Sequence, residues 1–168
     1  MVELLRDLMA HAEWANAVFI HQWDKSPARD NEEMRRRVGH IIGVQQAFLA
    51  MLRGETHREP PTGPPQSFDE LKTRAVTSHT DLRNYTAALQ PDALARTLRI
   101  PWFPEPPCVI SVGDALMQVA MHTQHHRGQC MTRLKDFGGE PKNVDWIIWL
   151  WKQKPQGRWS GDHRPCRS

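Results

Sequence analysis

The fold of this chain is decided by residues 111–139, which read SVGDALMQVAMHTQHHRGQCMTRLKDFGG. Apolar residues recur in this segment at gaps of three and four, which is typical of one face of a helix. Ser111 can cap that helix, Asp114 suits the positive end of its dipole, and the glycines at 138 and 139 end it. The inward face of this predicted fourth helix contains Val112, Ala115, Leu116, Val119, Ala120, Cys130 and Leu134.

Three earlier segments show the same helical period, and they cover residues 2–23, 30–53 and 67–89. Capping-box patterns mark two of their starts, Asp30 with Glu33 and Ser67 with Glu70. Four long helices predict an all-α four-helix bundle.

Two polar residues stand within the apolar stripes of these helices. Gln45 falls between Ile41 and Phe48 in the stripe of the second helix, and Ser78 falls before Leu82 in that of the third. The stripe that contains Gln45 is predicted to be the core stripe of the second helix.

Proline-rich stretches separate the helices. Residues 54–66 are predicted to run extended over the surface as a linker. The short β-like run Thr97 to Ile100 is predicted to be a loop excursion with little regular structure. An additional C-terminal helix, from about Asn143 to Gln153, is apolar nearly all the way round and needs burial on two sides. Its three tryptophans suit either the core or a dimer interface.

The composition suits one folded domain, since 39% of the 168 residues are hydrophobic and 24% are charged. Five basic residues and one acidic residue fall in 152–168, so those positions carry +4 and the rest of the chain −1. A nearly neutral folded part does not favour nucleic acid as a partner. We predict a bundle domain at 1–154 and a basic, disordered tail at 155–168.

The cysteines indicate the compartment. Cys108, Cys130 and Cys166 are odd in number and far apart, which predicts no disulfide framework. Charges within the first ten residues are wrong for a signal peptide, and no apolar run is long enough for a membrane span. The sequence therefore predicts a cytoplasmic protein without a membrane partner.

Histidines interrupt the apolar face of the predicted fourth helix. His122 and His126 are four residues apart, so their rings project from one face and can bind one metal ion. Imidazoles that face the interior need partners, which a shared metal or a backbone carbonyl would supply. His40 lies beside the core stripe of the second helix, and the three rings converge if these two helices are neighbours. Three protein ligands leave a position open for water or substrate.

These residues also match a known family. Residues 122–129, HTQHHRGQ, followed by Gly138, Gly139 and Pro141, resemble the H-x-x-x-H-R-G-Q signature of the DinB/YfiT-like superfamily. Residues 39–43, GHIIG, resemble the second helix of that family, which supplies its first histidine. The resemblance covers roughly residues 1–151.

The resemblance implies a four-helix bundle, usually dimeric, with one divalent metal ion, often nickel or zinc. On the matching positions the metal ligands are His40, His122 and His126. Several characterised relatives are transferases or isomerases that use low-molecular-weight thiols as co-substrates, and others are hydrolases.

The sequence also allows predictions for residues near the three histidines. His125 is expected at the rim or in solvent, and Cys130 is either a soft ligand or a small buried hydrophobe. Arg127 would contact a substrate carboxylate, or form a surface or intersubunit salt bridge. Gly128 lowers helix stability, which predicts close approach of another helix or of the metal-site backbone. The remaining histidines are expected at the surface, and they are His11, His21, His57, His79 and His163.

Two classes of function follow from these residues. In the first, an enzyme holds water or a thiolate at the open metal position and presents it to a small electrophilic molecule, as a thiol transferase or a hydrolase. Any general base must come from another helix, and Glu13 is one candidate. In the second, a non-catalytic, stress-related protein binds the metal or a partner. Either form is predicted to be a homodimer.

Overall fold

The bundle is described by a computed structural model over residues 1–56, 66–103 and 105–159. The predicted all-α four-helix bundle with an additional C-terminal helix is confirmed. A 3₁₀ turn at Pro91–Ala95 follows the third helix. The helices are α1 (Val2–Asp24), α2 (Glu32–Arg53), α3 (Phe68–Ala88), α4 (Val112–Asp136) and α5 (Trp146–Trp151), and the strands are β1 (Thr97–Ile100) and β2 (Cys108–Ser111).

Helix packing places α4 beside α2. α4 contacts both α1 and α2, and α3 contacts the same two helices from the other side. Glu33 pairs with Arg133 at 3.0 Å while His40 lies beside His122, so α2 and α4 run antiparallel. This pairing satisfies the condition under which the three histidines converge.

The helix starts follow the predicted caps with one exception. Ser67 and Ser111 cap their helices as predicted. The capping box predicted for Ser67 with Glu70 is complete, and Ser111 forms one with Asp114 as well. The predicted box at Asp30 is wrong, because the cap is Asn31, whose side chain accepts a 3.0 Å bond from the Met34 amide. Glu33 binds arginines of α2 and α4 instead of the helix start.

The predicted loop at 97–100 is wrong. Thr97 pairs with Ser111 and Ile100 with Cys108 in an antiparallel hairpin. Leu98 and Ile100 are buried while Thr97 and Arg99 are exposed, which is the period-two pattern of a strand covering a core. The prolines after Ile100 fall in the connection, so they interrupt no ladder bond.

The C-terminal helix is shorter than predicted. Trp149 is buried and belongs to the core, whereas Trp151 is 77% exposed. Beyond the helix, Pro155 accepts a 2.9 Å bond from the Trp149 indole, and the Trp159 ring lies 5.6 Å from that of His79. The first five residues of the predicted tail therefore lie on the bundle, at 155–159. Residues 160–168 and most of the predicted linker, 57–65, lie outside the described residues.

Candidate metal centre

Three imidazoles meet between α2 and α4. His40 comes from α2, and His122 and His126 come from successive turns of α4. One nitrogen of each ring lies within 4.8 Å of the other two, and the ring centroids are 4.3–5.0 Å apart. The four-residue spacing places the α4 pair on one face, and the antiparallel neighbour supplies the third ring.

The donor set fits a divalent metal ion. His40 is exposed and the other two rings are half-buried, so the cluster is open to solvent on one side. Nδ1 of His122 is buried and has no hydrogen-bond partner within the described residues. Burial, reinforced by the neighbouring imidazoles, lowers the pKa of His122 to about 4 and also lowers that of His40. The rings of His122 and His40 are therefore neutral at physiological pH, which is the form that ligates metals.

A family model of the DinB superfamily matches residues 6–130, a range that includes all three histidines. The chain belongs to the DinB superfamily. Searches of curated proteins and of solved structures gave no significant match to it. Within the described ranges of this DinB-superfamily chain, no helix combines the length and hydropathy needed to cross a bilayer.

Gln129 orients one of the three rings in this DinB-superfamily site. Its Oε1 lies 3.0 Å from Nδ1 of His126, and its Nε2 lies 2.9 Å from Nε2 of His125. Both contacts are hydrogen bonds when His126 carries its proton on Nδ1 and donates it to the amide oxygen, and the amide nitrogen donates to His125. This bond leaves Nε2 of His126 free to ligate, which is how outer residues orient metal-binding histidines.

We expect the Gln129→Ala variant to bind metal about 10- to 100-fold more weakly, because His126 loses the bond that holds its ring. A competition titration against a chelator measures the change. Gln90→Ala, an exposed glutamine outside α4, is the matched control and should leave the affinity unchanged. Equal affinities for both variants would contradict this role for Gln129.

Other predicted site residues lie apart from the three rings. Cys130 is fully buried, burial raises the pKa of its thiol to about 12, and it is therefore a small apolar core residue. His125 is exposed, as expected, with its ring 4.9 Å from that of His126. Glu13 is buried, and its carboxylate accepts bonds of 2.5 and 2.6 Å from Nη1 of Arg83, so it lies at the α1–α3 contact.

Arg127 and Gly128 also differ from expectation. The expected surface salt bridge is wrong, because Arg127 is 1% exposed and its Nη1 donates a 3.1 Å bond to Oδ1 of Asn16 on α1. Its side chain points into the bundle, on a different side of α4 from the His122 and His126 rings. The close approach predicted at Gly128 is also wrong, since a Cβ there would meet nothing within 4 Å.

Arg127 belongs to a central polar layer to which all four long helices contribute. Gln45 Nε2 donates to Thr123 Oγ1 at 3.1 Å, and Ser78 donates to Gln45 Oε1 at 3.1 Å. Asn16 Nδ2 donates to Nε2 of His79 at 2.8 Å. All members are buried, and they are Asn16, Gln45, Ser78, His79, Thr123 and Arg127.

The expectation that His11 and His79 lie at the surface is wrong. His79 is 2% exposed, and burial, with the charges of Arg127 and Arg83, lowers its pKa to about 3. His11 is also buried, and its Nε2 donates a 2.8 Å bond to the Val144 carbonyl. Their partners come from distant parts of the chain. The signal for the layer was the pair of polar residues within the predicted apolar stripes of α2 and α3.

Proposed function

We propose that this protein is a metal-dependent enzyme that transfers a low-molecular-weight thiol to a small electrophilic molecule. His40, His122 and His126 would hold one divalent ion, nickel or zinc. The observation that carries the proposal is the open cluster of three imidazoles, each able to offer one nitrogen to a shared ion. Membership of the DinB superfamily supports it.

The groups of the site have different roles. A divalent ion bound there supplies Lewis acidity, which lowers the pKa of a bound thiol and makes it nucleophilic at neutral pH. The three ligands are uncharged, so they leave the positive charge of the site undiminished. His40 is exposed, so the site is open to solvent on its side. Gln129 holds the His126 ring in one orientation through its Nδ1.

The test is thiol transfer by protein loaded separately with nickel or zinc. Glutathione and cysteine serve as thiols, and 1-chloro-2,4-dinitrobenzene serves as the electrophile, so that a carbon–sulfur bond forms and chloride leaves. We expect product formation by the loaded wild type and its loss in His122→Ala. His21→Ala, a histidine of α1 outside the cluster, is the matched control.

The alternatives give other results. Hydrolysis of p-nitrophenyl acetate by the loaded wild type, without thiol transfer, would replace the proposal by a metal-dependent hydrolase. Full metal content with neither activity would favour the non-catalytic, stress-related metal-binding protein.

We also propose a cytoplasmic homodimer. The exposed apolar side chains of α5, Ile147 at 66% and Trp151 at 77%, support an interface between two copies. Sedimentation of wild type and of Trp151→Lys measures the state. A monomeric wild type would contradict this part of the proposal.

A further inference from the structure

A groove separate from the histidine cluster lies between α1, α4 and α5. Its volume is about 410 Å³, within the range of small-molecule sites. His125 lies in its wall and marks the boundary with the metal centre, because its ring also contacts that of His126. The apolar lining consists of Leu8, Ala12, Met117, Ala120, Met121 and Trp146.

A buried cation lies in the wall of this apolar groove. Arg127 is 1% exposed, and its hydrogen-bond acceptors among the described residues are neutral oxygens, Oδ1 of Asn16 and Oε1 of Gln124. The acidic group that acts on it most, Asp145, is exposed and forms no ion pair with it. Buried arginines are usually paired with an anion, since desolvation of an unpaired charge is costly. Among the described residues, Arg127 therefore has no anionic partner.

Gln124 occupies the place that an anionic partner of Arg127 would take, but its amide is neutral. Its side chain is exposed, lines the groove and places its amide oxygen on Nη2 of Arg127. Rotation of this exposed side chain would free the Nη2 donor toward the groove. A carboxylate in the same position would form charge-assisted bonds, which are about twice as strong as neutral ones.

A second cavity beside Arg127 is less suited to a ligand with an apolar body. It has a volume of about 370 Å³, and Asp145 and Lys142 both lie in its wall, so a carboxylate there would meet charges of both signs. No acidic residue is among the described lining residues of the larger groove, and six of those residues are apolar. The larger groove therefore suits an anion with an apolar body.

We infer that the groove between α1, α4 and α5 binds a small-molecule carboxylate with an apolar body. The carboxylate displaces the Gln124 amide oxygen from the guanidinium of Arg127, and the apolar body lies against Leu8, Ala12 and Met121. Planar guanidinium groups match carboxylates in geometry, and burial of the apolar body adds hydrophobic stabilisation. This inference is independent of the proposed thiol transfer, because the ligand contacts no metal-binding histidine.

Calorimetric titration of the full chain tests the inference, with octanoate as the probe and octanamide as its uncharged counterpart. We expect octanoate to bind one site per chain at least about tenfold more tightly than octanamide. Gln124→Glu places a carboxylate beside Arg127 and should weaken octanoate binding at least about tenfold, as should Arg127→Met. Gln118→Ala, an exposed glutamine of α4 outside the groove lining, should bind as the wild type does.

Several results would overturn the inference. They are no octanoate binding, equal binding of octanamide, and unchanged octanoate affinity in Gln124→Glu. Loss of octanoate binding in His122→Ala would assign the carboxylate to the histidine cluster and overturn it as well. Arg127 is buried, so Arg127→Met can fail to fold. In that case Gln124→Glu alone tests the inference, because residue 124 is exposed and its substitution does not disturb the core.

Discussion

His122→Ala should lose the bound metal completely. After loading and desalting, we expect the wild type to retain about one nickel or zinc ion per chain and the variant to retain almost none. Removal of one imidazole leaves two ligands, which are too few for tight binding. Among the described residues, the group that could hold the ion contains only histidines, so no carboxylate replaces the lost ligand. Elemental analysis of protein purified without a histidine tag measures the content.

The same loss is expected for His40→Ala and His126→Ala, while His21→Ala should keep its metal. Added metal should also raise the melting temperature of the wild type and leave that of the three variants unchanged, because only a folded site binds it. Retention of metal by any of the three would show that the ion lies elsewhere. If the wild type takes up no added nickel or zinc, the proposed function is contradicted.

Acid should destabilise the metal-free fold through His79. The folded-state pKa of His79 is lowered from 6.5 to about 3 by burial, so the unfolded chain binds a proton that the folded chain does not. The contribution of His79 to stability is therefore complete above pH 6.5 and is lost as the pH falls toward 3. We expect the contribution of His79 to the free energy of unfolding to fall by up to about 1.4 kcal/mol per pH unit, or about 3 kcal/mol between pH 6.5 and 4.

Urea unfolding at a series of pH values measures this slope. His79→Gln keeps a polar side chain but cannot titrate, so its stability should depend less steeply on pH between 6.5 and 4. His125→Gln removes an exposed histidine and should retain the wild-type slope. If His79→Gln retains that slope too, the acid sensitivity comes from other groups.

The fold and the histidine cluster were predictable because both depend on local periodicity. The spacing of His122 and His126 needs only helix geometry, and His40 needs only the adjacency of α2 and α4. The hairpin was not predictable from proline content, because the prolines occupy the connection while Leu98 and Ile100 cover the core.

The central polar layer was harder to predict because its bonds join residues far apart in the chain. His79 bonds to Asn16, 63 positions away, and Arg127 bonds to the same residue across 111 positions. A histidine or arginine without local partners is therefore easily assigned to the surface. Gln45 was placed correctly, since its position in an apolar stripe is itself local information.

The two sets of side chains on α4 differ by a single step along the chain. His122 and His126 form the cluster, while Thr123 and Arg127 enter the central polar layer. One residue corresponds to a rotation of about 100°, so an insertion of one residue within α4 before position 122 would move the two imidazoles to the inward positions that Thr123 and Arg127 occupy, and would move Arg127 to the exposed position of Gly128. The imidazoles would turn into the interior and the guanidinium would leave it. Evolution can therefore lengthen the connections on either side of α4, but an insertion within this helix must restore its angular phase.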